Sequence, residues 1–273
     1  MKIGMISDLH VDVNDTILKK GESFAQLVAE KANNEKIDFL LIAGDNSSEA
    51  GLSKQINKKI QALVTAKVLF VPGNHDLWSR ENGVTDTFGL YKDFLKQPES
   101  IIGQPVILSD EWAIVGATGW YDYGYANHKE YTLEKFEEKK YRFAYWNDAH
   151  YIHWDKSDQE VSAAMLEQLE KDLQSVGDRK VFLMTHMATH GEFVVPLPNK
   201  MYDYFNAFLG SKSYEQLYDR YPIKYSNIGH VHMRKIIKEE DTVFISACLG
   251  NKKHWTIKDA KTEIDRTFVT IDL

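Results

Sequence analysis

The sequence predicts an α/β protein built on a mainly parallel, buried sheet. Two observations carry the prediction: apolar, β-branched-rich runs that each end in a polar cluster, and helix-like stretches between the first three of them. The first run, KIGMIS, leads to Asp8; FLLIAG leads to Asp45; VLFVPG leads to Asn74; a fourth, KVFLMT, ends at His186. Helical spacing from Ser23 to about Asn33 and from Ser53 to about Thr65 makes the opening order strand, helix, strand, helix, strand. Ligands of open α/β sheets bind beyond the carboxyl ends of the strands, which is where each polar cluster falls. Farther on, Trp112 to Thr118 reads as a strand and Glu160 to about Ser175 as an amphipathic helix. From Tyr225 onward β signals dominate, with VFISACLG a buried strand ending at Gly250 and the terminal FVTIDL alternating as a half-buried strand does.

Two segments fit no repeating unit. Trp120 to Asp158 and Met187 to Tyr225 are aromatic-rich and far longer than ordinary connections of about 2–6 residues. The chain of 273 residues is long enough for one or two domains. With no repeat, low-complexity tract or linker in it, we expect a single domain over 1–273 with cap-like insertions at about 120–158 and 187–225.

Composition narrows the classes of function. Hydrophobic residues at 43% and charged residues at 27% match a packed globular chain. A formal charge of −7 argues against a broad basic surface for extended nucleic acid. No stretch approaches the roughly 18–20 apolar residues of a membrane span, and MKIGMISDLH turns polar too soon for a secretory leader. The single cysteine, Cys248, forbids an internal disulfide, so we expect a cytoplasmic protein with a small buried thiol near a strand end.

The clusters themselves are Asp8-Leu9-His10, Gly44-Asp45-Asn46, Gly73-Asn74-His75-Asp76, Thr185-His186 and Gly229-His230-Val231-His232. Each supplies oxygen or imidazole ligands, a mixture that suits manganese, iron or zinc better than the all-oxygen preference of magnesium and calcium. In an extended chain residues i and i+2 face the same side, so both members of DLH or HVH can reach one ion. A lone histidine is more often a hydrogen-bonded structural residue, and an Asp or Asn after a strand is commonly a cap or turn former. Order and joint placement carry the functional reading instead.

That ordered series resembles the calcineurin-like metallophosphoesterases, whose motifs run DxH, GD, GNH[DE], a lone H and GHxH. All five are present between residues 8 and 232. The resemblance implies two β-sheets packed face to face with helices outside, and a pair of divalent or trivalent ions at the sheet edge. It implies Asp8, His10, Asp45 and His232 as ligands of one ion, and Asp45, Asn74, His186 and His230 as ligands of the other, Asp45 bridging. It further implies hydrolysis of a phosphomonoester or phosphodiester in a small molecule, a nucleotide among the options. Two ions about 3.5–4 Å apart would lower the pKa of a bridging water to give a hydroxide and would clamp the phosphoryl group. His75 then faces substrate, stabilising the phosphoryl group or protonating the leaving oxygen.

Departures from the family's branches narrow the substrate. Protein serine/threonine phosphatases carry GDxxDRG and GNHExR, whereas this chain reads GDNSSEAG and GNHDLW. Ser48 stands where an acidic partner of the catalytic histidine would be, which leaves Asp76 or Glu49 as candidates to orient His75. The missing arginines argue against a phosphoprotein substrate and for the bacterial phosphodiesterase and nucleotidase-like branch. A nuclease of the DNA-repair branch and a non-catalytic scaffold are the alternatives; net acidity counts against the first, the complete ligand series against the second. Aromatics of the two insertions pack the domain or wall the site; Trp120 to Trp154, which starts just beyond the Trp112–Thr118 strand, is expected to form a lid. His128, His150 and His153 are expected to be structural or surface residues, and His190, close to His186, is the candidate exception.

Overall fold

The structure, a computed structural model, describes residues 1–78 and 86–273. Strands β1 (Lys2–Ile6), β2 (Phe39–Ile42) and β3 (Lys67–Phe70) form a parallel set, and β12 (Val269–Asp272) adds antiparallel to β1, giving the order β12-β1-β2-β3. The second sheet has the order β10-β11-β9-β8-β5-β4. Its members are β4 (Val106–Ile107), β5 (Trp112–Ala117), β8 (Lys180–Thr185), β9 (Ile223–Ile228), β10 (Arg234–Glu239) and β11 (Thr242–Ala247). Its four central strands run parallel, and both edge strands pair antiparallel. A small hairpin of β6 (Lys140–Tyr141) and β7 (Ala144–Tyr145) lies within the first aromatic segment.

Alternation along the strands makes the layers. Ile3, Met5, Leu41, Ala43, Leu69 and Val71 point to one side of the first sheet and meet Ile114, Phe182, Met184, Ile245 and Ala247 of the second. Ile6, Leu40, Ile42, Val68 and Phe70 point the other way, onto Phe24, Leu27 and Val28 of α1 (Phe24–Glu35) and Ile56 and Ile60 of α2 (Ala50–Leu63). Beyond the second sheet, Ala113, Val115, Val181 and Leu183 pack on Leu169 and Leu173 of α3 (Asp158–Ser175). Helix, sheet, sheet and helix therefore stack as four layers, the arrangement the motif series implies.

Local chemistry sets the helix starts. Ser23 caps α1 by accepting from Gln26 N–H, and Ser157 with Glu160 closes a capping box on α3. One stretch differs from expectation: Ala260–Thr267, α4, is helical within the region read as β-dominated. Asp259 accepts from Thr262 N–H there, and only one face, with Ala260, Ile264 and Thr267, is buried. A short helix with so few apolar positions leaves little periodic signal. Cys248 is buried just past β11. Among the described residues no helix is long and apolar enough to cross a membrane.

Candidate metal centre and active site

The strand ends deliver their polar residues to one place. Asp8 follows β1, Asp45 follows β2, Asn74 and His75 follow β3, His186 follows β8, and His230 and His232 lie between β9 and β10. Ligand atoms of Asp8, His10, Asp45 and His232 lie within 4.8 Å of one another, as do those of Asp45, His186 and His230. Asn74 Oδ1 joins the second group, 3.1 Å from His186 Nε2 and 3.0 Å from His230 Nδ1. The two groups share Asp45.

Backbone geometry aims these side chains. Asp8, His10, Asp45, His230 and His232 all adopt left-handed conformations, with φ between 41° and 68°. Non-glycine residues seldom sit there, and such strain gathers at functional sites. Close packing explains Gly73, since a Cβ there would stand 2.2 Å from Asp45 Oδ1 and 2.5 Å from His186 Cε1. Gly73→Ala is expected to cost about 1–3 kcal/mol of stability and to lower metal retention. Thermal melts and metal analysis of the dialysed variant check it.

Hydrogen bonds fix which ring nitrogens face inward. His186 Nδ1–H donates to Ala43 O at 2.8 Å, leaving Nε2 toward Asn74 and Asp45. His230 Nε2–H donates to Phe208 O at 3.1 Å, leaving Nδ1 inward. His10 Nε2 and His232 Nε2 stand 2.8 Å apart, both turned to the first group. Asp45 Oδ1 accepts from His75 N–H at 2.8 Å, while its buried Oδ2 has no hydrogen-bond partner. A buried carboxylate oxygen left bare among inward-facing imidazole nitrogens is what a cation would satisfy, so the residues present fit a pair of metal ions.

Electrostatics agree with that fit. Burial and the nearby His232 imidazole hold His10 at about 3, and burial with His186 holds His230 at about 3. His186 is lowered by burial, and His75 lies well below the usual imidazole range through burial and the rings of His10 and His232. At His10, His186 and His230 these shifts favour the neutral imidazole that ligates metals. Burial, then Asp8 and Asp76, push the Asp45 carboxyl well above its ordinary range. Burial also acts to raise Asp8, but hydrogen bonding and charge from His232, with His186 and His10, outweigh it and draw Asp8 below the ordinary carboxylate range.

The ring of His75 is oriented by Ser48, whose Oγ lies 3.1 Å from Nδ1, and by stacking on Trp78 at 3.6 Å between centroids. Neither Asp76 nor Glu49 takes that role, which corrects the expectation. Asp76 is buried and binds the loops instead, accepting N–H groups of Asp45, Asn46, Ser47 and Gly73; burial lifts its carboxyl to about 6 against those bonds. His190 does not approach the candidate metal-binding residues. Its Nε2 lies 3.3 Å from Glu239 and its ring packs on Phe244 at 4.3 Å.

A cavity of about 610 Å³ opens from Asp45, Asn74, His75, His230 and His232. Only part of the first aromatic segment reaches it: Ala144 to Asn147 of the β7 end line one wall, whereas Trp120, Tyr121, Tyr123 and Phe136 are wholly buried core. The expected lid is therefore mostly foundation, because large rings lower the free energy more by packing on each other than by facing water. The second segment contributes Phe193, Val195, Met201, Tyr202, Phe205 and Leu209 to the same lining. The pattern missed Asp148 altogether; buried in the first segment, it accepts from Asn74 Nδ2. The indoles and phenols around it, each wanting an acceptor once buried, are the signal that could have found it.

A four-layer sandwich with this cluster at its sheet edge defines a metal-dependent phosphoesterase. The family model for calcineurin-like phosphoesterases matches residues 1–234, and the chain belongs to that family, which is typically dinuclear-metal dependent. Among solved structures, the phosphopantetheinyl hydrolase of Mycobacterium tuberculosis is similar in fold, with a TM-score of 0.71 at 18% identity, covering 93% of this chain and 91% of that one. A Thermus thermophilus protein gives a TM-score of 0.53 at 10% identity over 99% and 98% of the two chains. A putative 5′-nucleotidase of Staphylococcus aureus gives 0.50 at 14% identity, covering 90% of this chain and 48% of that one. No curated protein matches the chain.

Proposed function

We propose that the chain hydrolyses a phosphomonoester or phosphodiester of a small molecule whose alcohol carries an uncharged, largely apolar arm. Asp8, His10, Asp45 and His232 would hold one ion, and Asp45, Asn74, His186 and His230 the other. When bound, the ions supply a hydroxide at neutral pH and neutralise the phosphoryl oxygens. His75, with Nδ1 facing Ser48, presents Nε2 to the substrate. The single observation that carries the substrate class is the cavity lining, which couples these residues to aromatic and aliphatic walls and includes no lysine or arginine among the described residues. A di- or triphosphate, or a nucleic-acid backbone, would find no fixed cation there beyond the metals. Within the insertions at about 120–158 and 187–225, the stretch Ala144 to Asn147 and the residues from Phe193 to Leu209 that line the cavity form the walls that select the arm.

The phosphopantetheinyl group, a phosphate ester with a long uncharged arm, is the first compound to test, given the name of the M. tuberculosis neighbour. A nucleoside 5′-monophosphate is the second. Turnover is measured with manganese, iron and zinc supplied in turn, on these esters, on p-nitrophenyl phosphate, on bis(p-nitrophenyl) phosphate and on a DNA oligonucleotide. Small esters with apolar arms are expected to have the highest kcat/KM; preference for the oligonucleotide would reject the assignment.

The wall gives a second expected result. Met201 is half exposed and Tyr202 about a third exposed on the cavity side, so covering what remains of either by an apolar arm is worth about 0.5–1.5 kcal/mol, roughly 2–10-fold in binding. Met201→Ala and Tyr202→Ala should raise KM for the preferred ester toward that range, and raise KM for p-nitrophenyl phosphate far less. Equal effects on both substrates would show that the wall does not read the arm.

A further inference from the structure

Asp148 gathers four side-chain donors on its two oxygens. Oδ1 accepts from Asn74 Nδ2 at 2.9 Å and Trp78 Nε1 at 2.6 Å; Oδ2 accepts from Trp146 Nε1 at 2.8 Å and Tyr121 O–H at 3.2 Å. It lies 74 residues from Asn74 in sequence and is fully buried. A carboxamide is nearly symmetric in shape, so sterics alone would let Asn74 present either its oxygen or its NH₂ to the metal side. With Nδ2 held by an acceptor that has no proton to give, the oxygen is the atom left to face His186 Nε2 and His230 Nδ1. Trp146 occupies the opposite side of the same carboxylate and lines the cavity, stacked on Phe208 and edge-on to His230.

We propose that Asp148 is a positioning residue that sets the Asn74 amide for metal binding and couples that ligand to the substrate-facing wall through Trp146. The inference rests on the metal-site reading above. Partners that orient a ligand from behind commonly change metal affinity 10–100-fold when altered. The wall and the metal ligand share one anchor, so a substitution in the insertion is felt at the metal even though the insertion contributes no ligand.

Zinc titration of the metal-stripped 273-residue chain, followed by calorimetry, tests this, with near-ultraviolet circular dichroism reporting the fold. Wild type is expected to bind two equivalents; fewer would refute the metal-site reading itself. Asp148→Asn should weaken one equivalent about 10–100-fold and spare the other. Asn74→Asp is the sharper probe. A carboxylate ordinarily binds a divalent ion better than an amide, so a site without Asp148's influence would bind more tightly. Facing Asp148 across a hydrogen-bond distance, Asp at 74 is instead expected to weaken the same equivalent. The pair Asn74→Asp with Asp148→Asn reverses donor and acceptor between the two positions and should recover part of the loss, the remainder reflecting Trp78 Nε1–H, which meets the same oxygen. Should Asp148→Asn fail to fold, Asn74→Asp alone carries the test. Asn74→Asp binding both ions as tightly as wild type or more tightly, or a folded Asp148→Asn with neither equivalent weakened, would overturn the proposal.

Discussion

Asp45→Asn is expected to lose both metal ions on dialysis and to lower turnover by on the order of 10³-fold, the equivalent of about 4 kcal/mol of transition-state charge stabilisation. Its carboxylate is the residue common to both ligand groups, and its buried Oδ2 has no other partner. An amide of the same shape carries no charge to place between two cations. The substitution is also a fair one locally, because asparagine tolerates the left-handed conformation that Asp45 adopts at φ 57°. Loss of metal would thus report the missing charge rather than a broken loop. Metal content per chain after dialysis, together with circular dichroism, checks it; two retained equivalents with near-normal turnover would remove Asp45 from the bridging role.

His75→Ala should give the opposite pattern on metals and a comparable loss in rate. No ligand atom of His75 belongs to either metal group, so both ions should stay, while turnover falls about 10²–10⁴-fold. The dependence on leaving group divides the two roles open to the ring. If His75 protonates the departing oxygen, alkyl esters lose more than p-nitrophenyl esters, since poor leaving groups need the proton most. A uniform loss would assign it to stabilising the phosphoryl group, a role that a neutral ring with Ser48 rather than a carboxylate at Nδ1 performs as a plain hydrogen-bond donor. Unchanged turnover, or loss of metal, would rule out both.

Much of this site was legible because its signal is local. A strand that must be buried on both faces reads as a continuous apolar run, and the first residues beyond it are polar because they leave the sheet; KIGMIS to Asp8 and FLLIAG to Asp45 are found that way. The face-to-face pairing of sheets was not in the periodicity. It came through the motif series, since no pattern in Met5 or Phe182 says that the two meet across an interface. Asp148 was missed, and Ser48 was placed beside His75 by the motif series yet passed over as its partner, because each acts through a contact that only the folded chain creates. Composition left the aromatics of the insertions undivided between packing the domain and walling the site, because a Trp that walls a cavity and a Trp that fills a core look alike in sequence. Trp146 and Trp120 are one of each.

The left-handed backbones at Asp8, His10, Asp45, His230 and His232 set fold stability against activity. Each such conformation costs on the order of 1–3 kcal/mol when the residue is not glycine. Glycine at position 10 or 232 would relieve that cost while removing an imidazole. Selection for thermal stability alone would therefore erode this site from the backbone outward, and the loops hold their shape only where turnover is also selected. In a search for stabilised variants of this chain, gains that map to these five positions are the ones to distrust.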